Sequence, residues 1–181
     1  MRIVAGEYRG RRLTSPDWEG LRPTSDRLRE TLFNIVGPSI AGARVLDGYA
    51  GTGAIGIEAL SRGAAHVTFV ERDRRARQLI ETNLSQLGLS AANDRVIIRA
   101  DFMTAARGPA GDAFDLIILD PPYAHDSAAQ AIAAAAPLAA GTTRVVVEHA
   151  SRFPAPAAAS GLQLRRTVKA GDSALSFYEP A

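Results

Sequence analysis

Short apolar runs alternate with amphipathic segments along most of this chain. Five runs predict buried strands, and they lie at Val45 to Leu46, Val67 to Val70, Arg95 to Arg99, Phe114 to Leu119 and Arg144 to Glu148. Helical segments lie between them, at about Ile55 to Arg62, from the expected N-cap Asp73 to Gly88, and at about Ser127 to Ala136. This alternation predicts an α/β fold, a doubly wound and mostly parallel sheet with helices on both faces.

The two ends of the chain depart from this alternation. Leu162 to Val168 and Ala174 to Tyr178 predict a C-terminal β-hairpin, which brings the expected sheet to seven strands, whereas residues 151–161 predict a loop. Arg2 to Leu13 predicts a short N-terminal hairpin, and Pro23 to Ser25 start an amphipathic helix. We therefore expect an extension over residues 1–40, followed by a main domain over residues 41–181.

Composition excludes several classes of protein. The 181 residues include no cysteine, which rules out a disulfide framework, a thiolate zinc site and a cysteine nucleophile. No apolar run approaches the roughly 20 residues of a membrane span, and the first residues do not resemble a signal peptide. We therefore expect a soluble cytoplasmic protein. The net charge of +2 does not by itself indicate nucleic-acid binding. All basic residues except Lys169 are arginine, which suits phosphate recognition but also follows from a GC-rich genome.

A glycine-rich loop joins the first strand to its helix. The stretch from Gly51 to Gly56 satisfies the pattern G-x-G-x-x-G, and Glu71 ends the next strand 20 residues after Gly51. Glycines let the backbone approach a ligand closely, and an acid at this place binds the hydroxyls of a ribose. The pair predicts a ribose-bearing cofactor, although a tight turn without a ligand is the structural alternative.

The acids at the strand ends favour S-adenosylmethionine over a dinucleotide. Asp47 would repel a pyrophosphate but suits a cationic amino-acid group. Glu71, Asp101 and Asp120 end the following strands, and Asp101 with Phe102 would hold the adenine unless Asp101 only caps a helix. The predicted cofactor-binding residues are Asp47, Ala50, Gly51, Gly53, Glu71, Arg72, Asp101, Phe102 and Asp120.

The tetrapeptide from Asp120 to Tyr123 carries the candidate catalytic groups. It follows a buried strand, and its two prolines stiffen the backbone and remove two N–H donors. The Asp120 carboxylate and the Pro121 carbonyl form a cluster of acceptors that suits an exocyclic amine, and Tyr123 would cover the flat face of its ring. A proline turn with a solvated aspartate is the structural alternative.

The combination of Asp-x-x-x-Gly-x-Gly, a strand-end acid and Asp-Pro-Pro-Tyr resembles class I S-adenosylmethionine-dependent amino methyltransferases. Residues 1–13 and 21–34 narrow the resemblance to the bacterial small-subunit rRNA guanine-N2 methyltransferases (RsmD type). Residues 51–63 and 171–178 agree with that family, so the resemblance covers nearly the whole chain. One departure is Gly48-Tyr49, where members of the family usually have a larger residue first.

This resemblance implies methyl transfer from S-adenosylmethionine to the exocyclic N2 of a guanosine in 16S rRNA, free or within an assembled small subunit. No metal and no membrane take part. Asp120 and the Pro121 carbonyl would accept the amine hydrogens, and Tyr123 would stack on the displaced base.

Six arginines of the N-terminal extension are the expected RNA contacts, with a solvated basic face as the alternative: Arg9, Arg11, Arg12, Arg22, Arg27 and Arg29. The denser run from Arg72 to Arg77 is interpreted as a solvated helix face. Three other functions remain open at this stage. They are an amino methyltransferase acting on DNA adenine or protein glutamine, a nicotinamide-dependent oxidoreductase, and an RNA-binding module without activity.

Overall fold

The computed structural model describes residues 1–18, 26–89, 94–108 and 113–181. The helices are α1 (Asp26–Val36), α2 (Ala54–Ser61), α3 (Arg74–Gln86), α4 (Phe102–Ala105) and α5 (Ser127–Ala135). The strands are β1 (Arg44–Asp47), β2 (His66–Val70), β3 (Arg95–Ile98), β4 (Leu116–Leu119), β5 (Arg144–Ala150), β6 (Ala158–Ala159), β7 (Leu162–Ala170) and β8 (Ser173–Pro180). None of the helices in the described ranges is long and apolar enough to cross a bilayer.

The described strands form a single sheet in the order β3-β2-β1-β4-β5-β8-β7-β6. The first five pair in parallel, and β8, β7 and β6 continue the sheet in antiparallel register. The mostly parallel α/β sheet is therefore confirmed, but the expected count of seven strands is wrong. The additional strand is β6, which lies in the segment 151–161 that was expected to be a loop. Ser160 and Gly161 both adopt positive φ and turn this segment back so that it pairs with β7.

Each central strand is buried on both faces, which explains its continuous apolar sequence. In β4, Leu116 and Ile118 face a core shared with α1, α2 and α3. Ile117 and Leu119 face a second core, which α5 covers. The strand order reverses between β1 and β4, and ligands of open α/β sheets bind at such a switch point.

The N-terminal residues pack onto this domain through α2. The expected hairpin is reduced to an isolated antiparallel bridge between Arg2 and Arg12. The buried carboxylate of Glu58 accepts hydrogen bonds from the N–H groups of Val4 and Ala5 at 2.8 and 2.9 Å. The expected helix start at residues 23–25 lies outside the described residues, and the division near residue 40 stays a prediction.

Candidate active site

A cavity of about 760 Å³ opens where the parallel strands have their carboxyl ends. Segments that follow β1, β2, β3 and β4 all contribute to its wall, so these strand ends converge as expected. Nine predicted site residues line it: Ala50, Gly51, Glu71, Arg72, Asp101, Phe102, Asp120, Pro121 and Tyr123. Asp47 and Gly53 are not among the lining residues.

The glycine loop is hydrogen-bonded to the end of β2. Gly51 and Gly53 have φ angles of 52° and 77°, a region that residues with a side chain rarely adopt. The Glu71 carboxylate accepts a hydrogen bond from the Gly51 N–H at 2.8 Å and another from the Asp73 N–H at 2.7 Å. Each carboxylate oxygen can accept more than one donor, so Glu71 can hold the loop and still bind hydroxyl groups in the cavity.

Asp47 lies beneath this loop. Its side chain is buried and accepts a hydrogen bond from the Gly56 N–H at 3.0 Å, which ties β1 to the first turn of α2. Burial raises the pKa of Asp47 to about 7, although the Gly56 hydrogen bond opposes the shift. Gly56 allows α2 to lie close to β2, because an added Cβ would stand 2.2 Å from the Phe69 ring. Direct contact between Asp47 and a cofactor stays a prediction.

Asp101 caps a helix and also lines the cavity, and its contact with an adenine stays a prediction. One of its oxygens caps α4 by accepting from the Met103 N–H at 3.0 Å, and the other lies 3.4 Å from the Arg72 guanidinium. The same residue lines the cavity beside the buried Phe102. Tyr49 packs against Phe102 with ring centroids 5.3 Å apart, so two aromatic rings accompany the carboxylate.

The absence of a side chain at Gly48 leaves room for the Phe102 ring. An added Cβ at Gly48 would lie 2.7 Å from a Leu119 methyl and 2.9 Å from the Phe102 ring. At Gly48, where the sequence departs from the family pattern, the Phe102 ring therefore occupies the space that a larger side chain would need.

The tetrapeptide after β4 lies on the same cavity as the glycine loop. Asp120, Pro121 and Tyr123 all contribute to its wall. The Tyr123 hydroxyl donates to the Glu148 carboxylate at 2.5 Å and lies 2.8 Å from the Ser173 hydroxyl. Burial, followed by the hydrogen bond to Glu148, raises the pKa of Tyr123 well above its ordinary value. Tyr123 is therefore a neutral, anchored side chain.

The N-terminal segment also reaches the cavity, which the sequence patterns did not predict. It runs along α3, where the Thr14 N–H donates to Asn83 at 2.7 Å and the Arg75 guanidinium lies 4.9 Å from the centre of the Trp18 ring. Trp18 and Arg75 both line the cavity. The single tryptophan in a polar segment is the one sequence signal that could have indicated that the N-terminal segment reaches the cavity. Other unpredicted lining residues include Leu28, Tyr49, Ser127, Gln130, Glu148 and Ser173.

The predicted RNA-contacting arginines lie on two elements. Arg9 and Arg12 are exposed in the N-terminal turn, and Arg27 is exposed on α1. Arg11 is exposed too, but it donates a 2.7 Å hydrogen bond to a carbonyl at the end of α3. Arg22 lies outside the described residues. Arg29 is fully buried, where it pairs with Asp26 and donates to the Arg2 carbonyl at 2.7 Å, so the expected RNA contact is wrong for this residue. Contact between these residues and RNA stays a prediction.

The arginine run at the start of α3 is only partly a solvated face. Arg77 is buried and donates to the carbonyl of Arg72 at 2.7 Å, so the interpretation as a solvated face is wrong for this residue. Its guanidinium satisfies a carbonyl in the turn that leads from β2 into α3.

The fold is that of a class I methyltransferase domain. A proposed methyltransferase of Escherichia coli (yhhF) has a solved structure that matches with a TM-score of 0.87 and 33% identity, covering 99% of this chain and 97% of that chain. A proposed methylase of Haemophilus influenzae matches with a TM-score of 0.80 and 31% identity, at 99% and 97% coverage.

The chain belongs to the family described as "Conserved hypothetical protein 95", whose model matches residues 1–179. The ribosomal RNA small subunit methyltransferase D of Haemophilus influenzae is 43% identical over 132 residues, 73% of this chain and 68% of that protein. The protein of the same name from Escherichia coli is 46% identical over 123 residues, 68% of this chain and 60% of its own length. The family resemblance inferred from the sequence is confirmed.

Proposed function

We propose that this protein transfers a methyl group from S-adenosylmethionine to the exocyclic N2 of a guanosine in 16S rRNA. The observation that carries the proposal is a single cavity lined by two sets of groups. Gly51 and Glu71 are suited to a ribose-bearing donor, and Asp120 with Pro121 is suited to an accepting amine. The names of the relatives from Haemophilus influenzae and Escherichia coli support a substrate in the small ribosomal subunit.

The cavity walls fit S-adenosylmethionine. The cavity volume of about 760 Å³ lies within the range of small-molecule sites. Glu71 would bind the ribose hydroxyls, and Asp101 would accept from the adenine amine beside the ring of Phe102. Arg72 holds one oxygen of Asp101 at 3.4 Å, which would orient that carboxylate. Carboxylates also suit a ligand that carries both an ammonium and a sulfonium group.

The residues after β4 would position the accepting amine. When bound, S-adenosylmethionine supplies an activated methyl group and leaves as S-adenosylhomocysteine. The accepting nitrogen loses one proton, which the Asp120 carboxylate would take up. The Asp120 carboxylate and the Pro121 carbonyl would accept hydrogen bonds from the two N–H groups of the amine. They would thereby direct the nitrogen lone pair towards the methyl group. Neither prolyl nitrogen carries a hydrogen that could compete as a donor. Asp120 would also stabilise the positive charge that develops on the nitrogen.

The N-terminal extension over residues 1–40 would bind the RNA. Arg9, Arg12 and Arg27 are exposed and can reach phosphates, which sets affinity without reading the base sequence. A ribosomal RNA substrate implies that the protein works in the cytoplasm, on free 16S rRNA or on an assembled small subunit.

The test is incubation with tritiated S-adenosylmethionine and separate pools of unmethylated 16S rRNA, small subunits, DNA and protein. We expect label only in the two ribosomal pools. Label in DNA or protein would instead identify an adenine or glutamine methyltransferase. A thermal shift with NADH but not with S-adenosylhomocysteine would identify a nicotinamide-dependent protein.

A further inference from the structure

The hydroxyl of Tyr123 joins the segment after β4 to two other strands. Glu148 belongs to β5 and accepts from that hydroxyl at 2.5 Å. Ser173 is the first residue of β8, and its hydroxyl lies 2.8 Å away from the same phenol oxygen. Glu148 is only 6% exposed, so water does not compete freely for this contact. The tyrosine is therefore attached at its outer end as well as through its backbone.

A second cavity is also lined by Tyr123. It has a volume of about 240 Å³, and Pro121, Pro122, Tyr123 and Glu148 line both cavities. Alanines, prolines and Phe153 form much of the remaining wall of the second cavity. Tyr123 thus contributes to the walls of both cavities, and the second offers an apolar space into which a released ring could rotate.

We propose that Glu148, assisted by Ser173, is a positioning residue for methyl transfer. It fixes the Tyr123 ring in the wall of the larger cavity, where the ring supports the accepting base beside Asp120. This inference rests on the proposed function and assigns Glu148 a role within the same site. Glu148 acts through the phenol and does not contact the reacting atoms.

The chemistry of the three groups supports a durable tether. A hydrogen bond from a neutral donor to a carboxylate is stronger than one between two neutral groups. Burial and the nearby carboxylate raise the pKa of Tyr123, so the phenol keeps its proton and remains the donor. The arrangement also accounts for the place of the C-terminal hairpin, because its turn presents Ser173 to the cavity.

The test compares Tyr123→Phe, Glu148→Ala, Glu148→Gln and Ser173→Ala in the full chain. We expect kcat for rRNA methylation to fall about 10- to 100-fold in Tyr123→Phe and Glu148→Ala, because a misplaced base reacts slowly. The dissociation constant for S-adenosylhomocysteine should not change. Glu148→Gln should recover most of the activity, since its amide oxygen still accepts from the phenol. Ser173→Ala should show an intermediate loss.

Tyr178→Phe is the matched control. Tyr178 is buried, and its hydroxyl, like that of Tyr123, donates a hydrogen bond, here to the carbonyl of Pro156 at 2.7 Å, but it does not line either cavity. Its variant should lose stability similarly and keep its kcat. A crystal structure of Glu148→Ala adds a readout independent of activity, in which the Tyr123 ring should have moved towards the second cavity.

Two results would overturn the positioning role. One is an unchanged kcat in both Tyr123→Phe and Glu148→Ala while the wild-type protein methylates rRNA. The other is an unmoved Tyr123 ring in Glu148→Ala; if that variant does not fold, the position of the ring in Tyr123→Phe, which cannot bond to Glu148, decides instead. A wild-type protein that methylates no RNA would overturn the proposed function and this role together, so the two failures are distinguishable.

Discussion

The carboxylate of Glu71 accepts a hydrogen bond from the backbone N–H of Gly51 at 2.8 Å. This contact joins the end of β2 to the loop after β1, so the two halves of the expected ribose site are already attached to each other. A second hydrogen bond from the Asp73 N–H fixes the other oxygen of Glu71 at 2.7 Å. The site is therefore preorganised, and a bound nucleoside would not have to order this loop.

Replacing Glu71 should weaken binding of the methyl donor and its product. We expect Glu71→Ala to raise the dissociation constant for S-adenosylhomocysteine about 10- to 100-fold, because it removes hydrogen bonds to a charged acceptor. Isothermal titration calorimetry measures this directly. Glu81→Ala is the control, since Glu81 is exposed on α3 and does not line the cavity. Equal affinities for wild-type and Glu71→Ala protein would refute the ribose assignment.

Asp120 should be required for transfer but not for binding of S-adenosylhomocysteine. We expect Asp120→Asn to lower kcat about 100-fold or more, because the neutral amide neither stabilises the positive charge that develops on the nitrogen nor takes up its proton. Transfer of a tritiated methyl group to 16S rRNA measures the loss. Asp115→Asn is the control, because it makes the same substitution at the opposite end of β4, where Asp115 accepts a hydrogen bond from the Arg44 N–H at 2.8 Å. Its kcat should not change. Normal turnover of Asp120→Asn would remove its catalytic role.

Asp47 should make the stability of the protein depend on pH. Its pKa is raised by burial to about 7 from an ordinary value of 3.8, so the folded state holds this proton more tightly than the unfolded state does. Its contribution to stability is complete below about pH 4 and is lost as the pH rises through about 7.

Asp47→Asn should remove that loss, because an amide can accept from the Gly56 N–H without ionising. We expect the free energy of unfolding of the variant, relative to wild type, to increase between pH 5 and pH 8 by on the order of a few kcal/mol. Urea unfolding at the two pH values measures it, and other titrating groups cancel in the difference. Parallel pH profiles would contradict an ionisable Asp47 with a raised pKa.

The exposed arginines of the N-terminal extension should set RNA affinity. We expect Arg9→Ala and Arg12→Ala each to weaken 16S rRNA binding and to reduce the slope of log K against log salt by about 1. Filter binding at several salt concentrations measures both. Arg165→Ala, an exposed arginine on β7, is the control and should change neither quantity. An unchanged slope in the first two variants would exclude the phosphate contacts.

The central sheet and the line of strand-end acids were predictable from sequence. Strands such as Leu116 to Leu119 are apolar throughout because both faces are covered, and Asp73 caps α3 through two backbone N–H groups as expected. Parallel strands bring their carboxyl ends to one edge, so Glu71, Asp101 and Asp120 had to converge. These features depend on local sequence and simple topology.

The features that were missed depend on contacts between distant parts of the chain. Trp18 meets Arg75, and Tyr123 meets Glu148 and Ser173, across separations that no local period encodes. The two-residue strand β6 depends on positive φ at Ser160, which is uncommon for a residue with a side chain. Such relationships appear only when the strands are placed beside each other.

Transfer of a methyl group to the N2 of guanosine is tested by the identity of the methylated nucleoside. Unmethylated 16S rRNA or small subunits, incubated with this protein and S-adenosylmethionine, would be digested to nucleosides and analysed by mass spectrometry. We expect N2-methylguanosine with the wild-type protein and almost none with Asp120→Asn. Methylation of another base or ring position, or an equal yield from Asp120→Asn, would contradict this expectation.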